Sequence, residues 1–184
     1  MQHRVNPLLI TYLIFASSLV CANNSASEIT TSAALKSNIT IEAAFSPKQG
    51  ATELIIKNIK TARQSILVAA YSFTSKPIAQ ELIAAHKRGV KVQIILDKSQ
   101  LREKHSLLAW LHSNKIPVRI NSRYAIMHNK FMIFDSKALQ LGSFNYSKAA
   151  ENKNAENVLV IKDSPETIAK YSVQWEKLWD ESQN

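Results

Sequence analysis

The chain reads as an α/β domain, a mixed sheet of about six to seven strands flanked by helices, and three observations predict this. Short apolar runs rich in β-branched residues alternate with amphipathic helical stretches, the pattern of a layered α/β fold. A composition of 46% hydrophobic and 20% charged residues can bury a core, which a disordered chain cannot. Gly numbers only 3 and Pro 5, which excludes collagen-like and low-complexity architectures. A length of 184 residues suits one domain. The single cysteine, Cys21, can form neither an internal disulfide nor a thiolate zinc site, so packing alone must hold the fold.

The elements follow in order. Asn38 to Phe45 has strand character, and Ser46 with Pro47 opens a helical stretch whose Leu54, Ile55, Ile59 and Ala62 share a face. Ile66 to Phe73 suits a buried strand. A helix opened by Ser75 and Pro77 runs to Gly89, the residue best able to turn left-handed after a last turn. Val90 to Leu96 is the next strand, with Asp97 at its carboxyl end. Leu101 to Asn114 is expected to be one helix with Leu107, Leu108 and Leu111 inward. Pro117 makes Ile116 to Ile120 a short or edge strand. Ile126 to Phe134 and Ala138 to Leu141 form a hairpin around Asp135, Ser136 and Lys137. Asn157 to Ile161 is a further strand, and Ser164 with Pro165 starts a final helix ending near Trp179.

The amino end reads as an export signal. His3 and Arg4 precede an apolar run from Leu8 to Ala22, followed by the small and polar residues Asn23 to Ser27. The run is shorter than the ~18 residues a membrane span needs, so residues 1–26 are expected to be a secretory signal peptide cleaved after Ala22 or Ala26. Residues 27–37 follow as a Ser/Thr/Ala-rich flexible leader, and residues 38–184 form one domain. The expected destination is outside the cytoplasm, periplasmic or secreted, with no membrane association after cleavage.

Chemistry concentrates in Met127-His128-Asn129-Lys130-Phe131-Met132-Ile133-Phe134-Asp135. On a strand, His128 and Lys130 project from the same side, placing an imidazole that can attack or carry a proton beside a cation that can hold an anion. Asp135 lies seven residues further on, about 23 Å along a straight strand and on the opposite face. It cannot orient His128 and is expected to pair with a cation or with turn amides. Downstream, Gly142-Ser143-Phe144-Asn145 leaves a strand with a hydroxyl and an amide able to bind phosphate oxygens. Glu156, flanked by Asn154 and Asn157, is the carboxylate expected to orient His128. Taken singly, these residues read equally as an ordinary turn and a solvated charge.

Taken together, His-x-Lys-x4-Asp followed by Gly-Ser-x-Asn resembles the signature of the phospholipase D superfamily, carried by His128, Lys130, Asp135, Gly142, Ser143 and Asn145. The block from Gly142 to Asn157, with Ala70-Tyr71-Ser72-Phe73-Thr74, is similar to the small, secreted, chelator-resistant bacterial endonucleases of that superfamily. The resemblance implies a phospholipase D-like fold and a phosphodiesterase in which His128 attacks phosphorus to give a phosphohistidine. It implies that Lys130 and Asn145 hold the non-bridging oxygens with help from Ser143, that Glu156 hydrogen-bonds the far nitrogen of His128, and that Asp135 has a supporting role. One histidine cannot both attack and protonate the leaving oxygen on the opposite side, so a homodimer sharing one active site is expected.

No cofactor and no metal is expected, because the 14 acids are scattered without an Asp-x-Asp or His-rich ligand set. The formal charge of +9, with clusters at Lys87-Arg88 and Arg102 to Lys104, suits a polyanion, and combined with the resemblance it favours nucleic acid, DNA or RNA, as a substrate read through its backbone. Phospholipid headgroup hydrolysis by the same chemistry is the alternative, and a non-catalytic nucleic-acid-binding module is the second. His86, His105 and His112 are expected at the surface, Trp110, Trp175 and Trp179 in the core, and Tyr124 beside the cleft.

Overall fold

A computed structural model describes residues 38–183. The signal read in residues 1–26 and the leader at 27–37 lie outside the described residues. The elements run β1 Thr40–Ser46, α1 Ala51–Thr61, β2 Ser65–Ala70, α2 Lys76–Lys87, β3 Lys91–Asp97, α3 Leu108–Ser113, β4 Val118–Asn121, β5 Lys130–Phe134, β6 Ala138–Gly142, α4 Lys148–Asn152, β7 Glu156–Lys162 and α5 Pro165–Asp180. The strands form one seven-stranded sheet in the order β1-β7-β6-β5-β2-β3-β4. β2, β3 and β4 are parallel, while β5, β6, β7 and β1 join antiparallel. The predicted mixed α/β sheet is therefore the observed one, and the Pro117 segment does end at an edge.

Side-chain alternation splits the core in two. Ile66, Val68 and Ala70 of β2, Val92, Ile94 and Leu96 of β3, and Met132 and Phe134 of β5 face α1 and α2. Ala69, Ile95, Phe131, Ile133 and Leu139 face the other way, onto Ile168, Trp175 and Leu178 of α5. The Trp175 indole also donates to the Val68 carbonyl at 3.0 Å. Burying Ile55 and Ile59 of α1, each 0% exposed, contributes on the order of 1.5–3 kcal/mol per side chain. α5 packs against β2, β4 and β5 and shares a core with Leu139 of β6, and beyond β6 the same face carries solvent-exposed apolar side chains. Ile41 and Phe45 on edge strand β1 are 61% and 52% exposed there, beside half-buried Leu159 and Ile161 of β7.

Three expected element bounds are corrected. The single helix from Leu101 to Asn114 is two pieces, a 3-10 turn at Lys98–Leu101 and α3. Between them, Glu103 Oε1 accepts from the His105 amide at 3.0 Å and Ser106 Oγ from the Leu108 amide at 3.3 Å, local bonds that compete with helix in a polar run lacking a buried face. The helix expected from Ser46 starts only at Ala51, after a turn, with Gly50 at φ 85° as its N-cap. The strand expected from Ile126 starts at Lys130, because the Met127 amide is taken by Asp97 Oδ2 at 2.8 Å instead of a neighbouring strand. Helix α4, capped by Ser147 Oγ at the Ala150 amide (3.1 Å), went unpredicted. Trp175 and the exposed His105 and His112 lie as expected, whereas His86 is half-buried.

Candidate active site

The sheet register brings the motif residues to one end. Ala70, the last residue of β2, pairs with Lys130, the first of β5. Gly142 closes β6 opposite Val158, and Ser46 closes β1 opposite Glu156, the first residue of β7. Tyr71, His128, Lys130, Ser143, Asn145 and Glu156 therefore all belong to this end. Asp135 sits at the other, where β5 turns into β6.

His128 is exposed, on the extended segment just before β5, so the same-side placement with Lys130 holds although the strand is shorter than expected. Lys130 Nζ lies 3.1 Å from His128 Nδ1 and 3.3 Å from Nε2, and donates to the His128 carbonyl at 3.0 Å. The ammonium is within hydrogen-bond distance of both ring nitrogens, so the imidazole tautomer decides which of them accepts from it. Lys130 is only 9% exposed. Burial pushes its pKa below 10.5, and the Glu156 carboxylate partly offsets this. A desolvated, partly compensated cation binds an added anion more strongly than a surface lysine does.

The second half of the site is a junction between β6 and β7. Ser143 Oγ donates to Glu156 Oε2 at 2.6 Å and accepts from the Asn157 amide at 3.1 Å, while the Ser143 amide donates to Asn157 Oδ1 at 3.2 Å. Gly142 makes this closeness possible. Its φ is 152°, and a Cβ there would stand 2.2 Å from the Asn157 carbonyl oxygen. Asn145 makes no side-chain hydrogen bond among the described residues, and its Oδ1 is shielded from water, a polar group with spare capacity. Glu156 Oε1 accepts from Asn154 Nδ2 at 3.0 Å. Both Glu156 oxygens are thus engaged by Ser143 and Asn154, and the expected bond to His128 is absent. β6 stands between β5, which follows His128, and β7, which begins at Glu156, and the Ser143 hydroxyl takes one of the carboxylate oxygens.

Asp135 does bind turn amides. Its carboxylate accepts from the backbone of Arg63 (2.8 Å), Gln64 (2.7 Å) and Ser65 (2.9 Å). Desolvation works to raise its pKa, but those three amides and Lys137 outweigh it, leaving the group below its ordinary 3.8. Tyr124, expected beside the cleft, instead donates to Glu181 Oε2 at 2.8 Å. Two residues without an expected role emerge. Tyr71 packs its ring on the His128 imidazole, centroids 4.6 Å apart, and buried Asp97 holds the Met127 amide next to His128. The signals were an aromatic and a carboxylate at the carboxyl ends of β2 and β3.

A solvent-facing imidazole beside a buried ammonium, with hydroxyl, amide and carboxylate at one sheet end, is a donor set able to bind and attack a phosphodiester. A family model described as "Cardiolipin synthase, PLD-like domain" matches residues 55–179. The chain is 39% identical to a phospholipase D of Rickettsia felis over 170 residues, 92% of this chain and 84% of that one. It is 43% identical to a phospholipase D of Rickettsia bellii over 135 residues, 73% and 67% of the respective chains. Among solved structures it is similar to Nuc from Salmonella typhimurium, a phospholipase D family member, with a TM-score of 0.76, 35% identity, and 79% and 97% of the two chains covered. NucT from Helicobacter pylori follows, with a TM-score of 0.71, 31% identity, and 79% and 99% covered. The chain belongs to the phospholipase D superfamily.

Proposed function

We propose that this protein is a metal-independent, non-specific endonuclease that hydrolyses DNA, or RNA, through a phosphohistidine in an active site shared by two copies. The observation that carries the reading is the buried Lys130 ammonium 3.1 Å from Nδ1 of the solvent-exposed His128 ring. In the first step a neutral His128 nitrogen attacks phosphorus, and the bond to the leaving sugar oxygen breaks as the second copy's His128, protonated, gives that oxygen its proton. In the second, the now neutral imidazole of the second copy takes a proton from water. The water oxygen attacks phosphorus, the P–N bond breaks, and His128 is restored.

Lys130, Asn145 and Ser143 hold the non-bridging oxygens in both steps. Asp135 supports them from outside the site by fixing the far end of β5. For Glu156 to orient His128, one of its oxygens must exchange Ser143 or Asn154 for the imidazole. A net charge of +9 supports a polyanionic substrate. The donor set supports metal-independent chemistry, since no group of three His, Cys, Asp or Glu among the described residues could hold a metal ion. The open apolar face supports the dimer. Phe45 pairs with Asn157, so the patch runs up to the catalytic end where a second copy has to pack.

The export expected from residues 1–26 is part of the same proposal. No helix among the described residues is long and apolar enough to cross a membrane. Phospholipid headgroup hydrolysis is the second reading, favoured by the relatives called phospholipase D and by Ile126, exposed two residues before His128. Plasmid DNA and phosphatidylcholine vesicles incubated with the protein in excess chelator separate the two. The expected result is nicked plasmid and intact lipid, with His128→Ala reducing the rate at least ~10⁴-fold. Released choline with intact plasmid would establish the second reading, and a His128→Ala variant that still cuts would remove the phosphohistidine.

A further inference from the structure

His128 lies on a segment outside any strand whose backbone is tied at Met127, His128 and Asn129, but its side chain is exposed, so the ring must be held by its own contacts. No carboxylate holds either ring nitrogen among the described residues; its aromatic contact is Tyr71, at 4.6 Å with the planes inclined by 53°. Tyr71 is built to act as a fixed wall. Its amide donates to the Asn129 carbonyl at 3.0 Å, tying it across to the residue that follows His128. Ala70 before it and Phe73 after it are both 0% exposed. The same ring lies 5.4 Å from Lys130 Nζ, so one aromatic face borders both the imidazole and the ammonium. The Tyr71 hydroxyl makes no hydrogen bond among the described residues, which leaves the ring as the part that works.

We propose that Tyr71 is a positioning residue whose ring, with Lys130 against the imidazole, confines His128 to the rotamer from which it attacks phosphorus. In-line attack tolerates about 0.5 Å and 10–20° of misplacement, and an exposed histidine with two free torsions does not meet that unaided. The inference rests on His128 being the nucleophile.

The test uses bis(p-nitrophenyl) phosphate turnover together with the NMR signal of the His128 Hε1 proton, assigned by its loss in His128→Asn. Tyr71→Ala is expected to lower kcat by about 10–100-fold with KM changed less than ~3-fold, the loss that about 1 Å of misplacement produces. Tyr71→Phe recovers at least about half of the rate. In the intact protein the Tyr71 ring current is expected to shift the His128 signal away from those of exposed His105 and His112. Tyr71→Ala abolishes that shift and Tyr71→Phe keeps it. A His128 signal that ignores Tyr71→Ala overturns the proposal, as does Tyr71→Phe falling as far as Tyr71→Ala, which would assign the work to the hydroxyl. If the intact protein leaves the phosphodiester uncut, the phosphodiesterase reading fails while the NMR arm still decides the contact.

Discussion

The two ends of β5 belong to one short motif and obey opposite physics. At the Asp135 end, three backbone amides between 2.7 and 2.9 Å occupy the carboxylate, which staples the β5–β6 turn to the chain entering β2. At the Lys130 end, a cation that is 9% exposed touches an imidazole and one carbonyl and has no carboxylate within ion-pair distance among the described residues. A polar group whose partners all come from its own chain serves the architecture. One that is desolvated yet keeps spare capacity is held ready for a ligand, and the fold bears the cost of keeping it so.

The comparison breaks most visibly at Lys130. Lys130→Met is expected to reduce kcat/KM by about 10²–10³-fold while raising the urea midpoint, because an unpaired buried cation is removed. The sign follows from the lowered pKa: the burial cost of Lys130 is present in full below its folded value and is relieved as pH rises towards 10.5. Loss of both rate and stability would show the ammonium to be a structural partner like Asp135.

The converse change is next in size. Asp135→Ala is expected to destabilise by about 2–4 kcal/mol in urea unfolding, from stranded amides and a lost charge-assisted acceptor. At low temperature its kcat should stay within about threefold of wild type. Since the folded pKa of Asp135 lies below 3.8, the stability gap to the variant should be constant above that pH and close as pH falls through the depressed value. A gap indifferent to pH would mean that the amides are satisfied without the charge.

The smallest effect tests the junction between the two regimes. Ser143→Ala removes the 2.6 Å bond to Glu156 and is expected to cost about 10-fold in kcat, with a stability change under ~1 kcal/mol. It frees one Glu156 oxygen for His128, so an unchanged or faster rate would identify the carboxylate's orienting bond as the limiting contact.

Much of the molecule was legible in the sequence because strand and helix periods are local. The β-branched run Val90 to Leu96 and the helix stopping at Gly89 are set by neighbours along the chain, and the structure has a strand at Lys91–Asp97 and a helix at Lys76–Lys87, each within two residues of the expected bounds. The site residues were legible because their types are chemically rare in that spacing. The segment from Ile126 to Asn129 was misread because its apolar residues fit a strand, while the Met127 amide is claimed by Asp97, 30 residues away. The partners of Glu156 are not legible for the same reason, since the Ser143 hydroxyl arrives from the end of a different strand.

Alternation and composition by themselves determined that this chain builds a mixed sheet between helices and that His128 and Lys130 share a side. Spacing alone also separated Asp135 from His128, because seven residues of strand are longer than any side chain can reach. Only the tertiary structure decided which groups each of them meets: three amides for Asp135, the Lys130 ammonium and the Tyr71 ring for His128, Ser143 for Glu156. Such contacts depend on strand order and register, which non-local packing selects and no local pattern encodes.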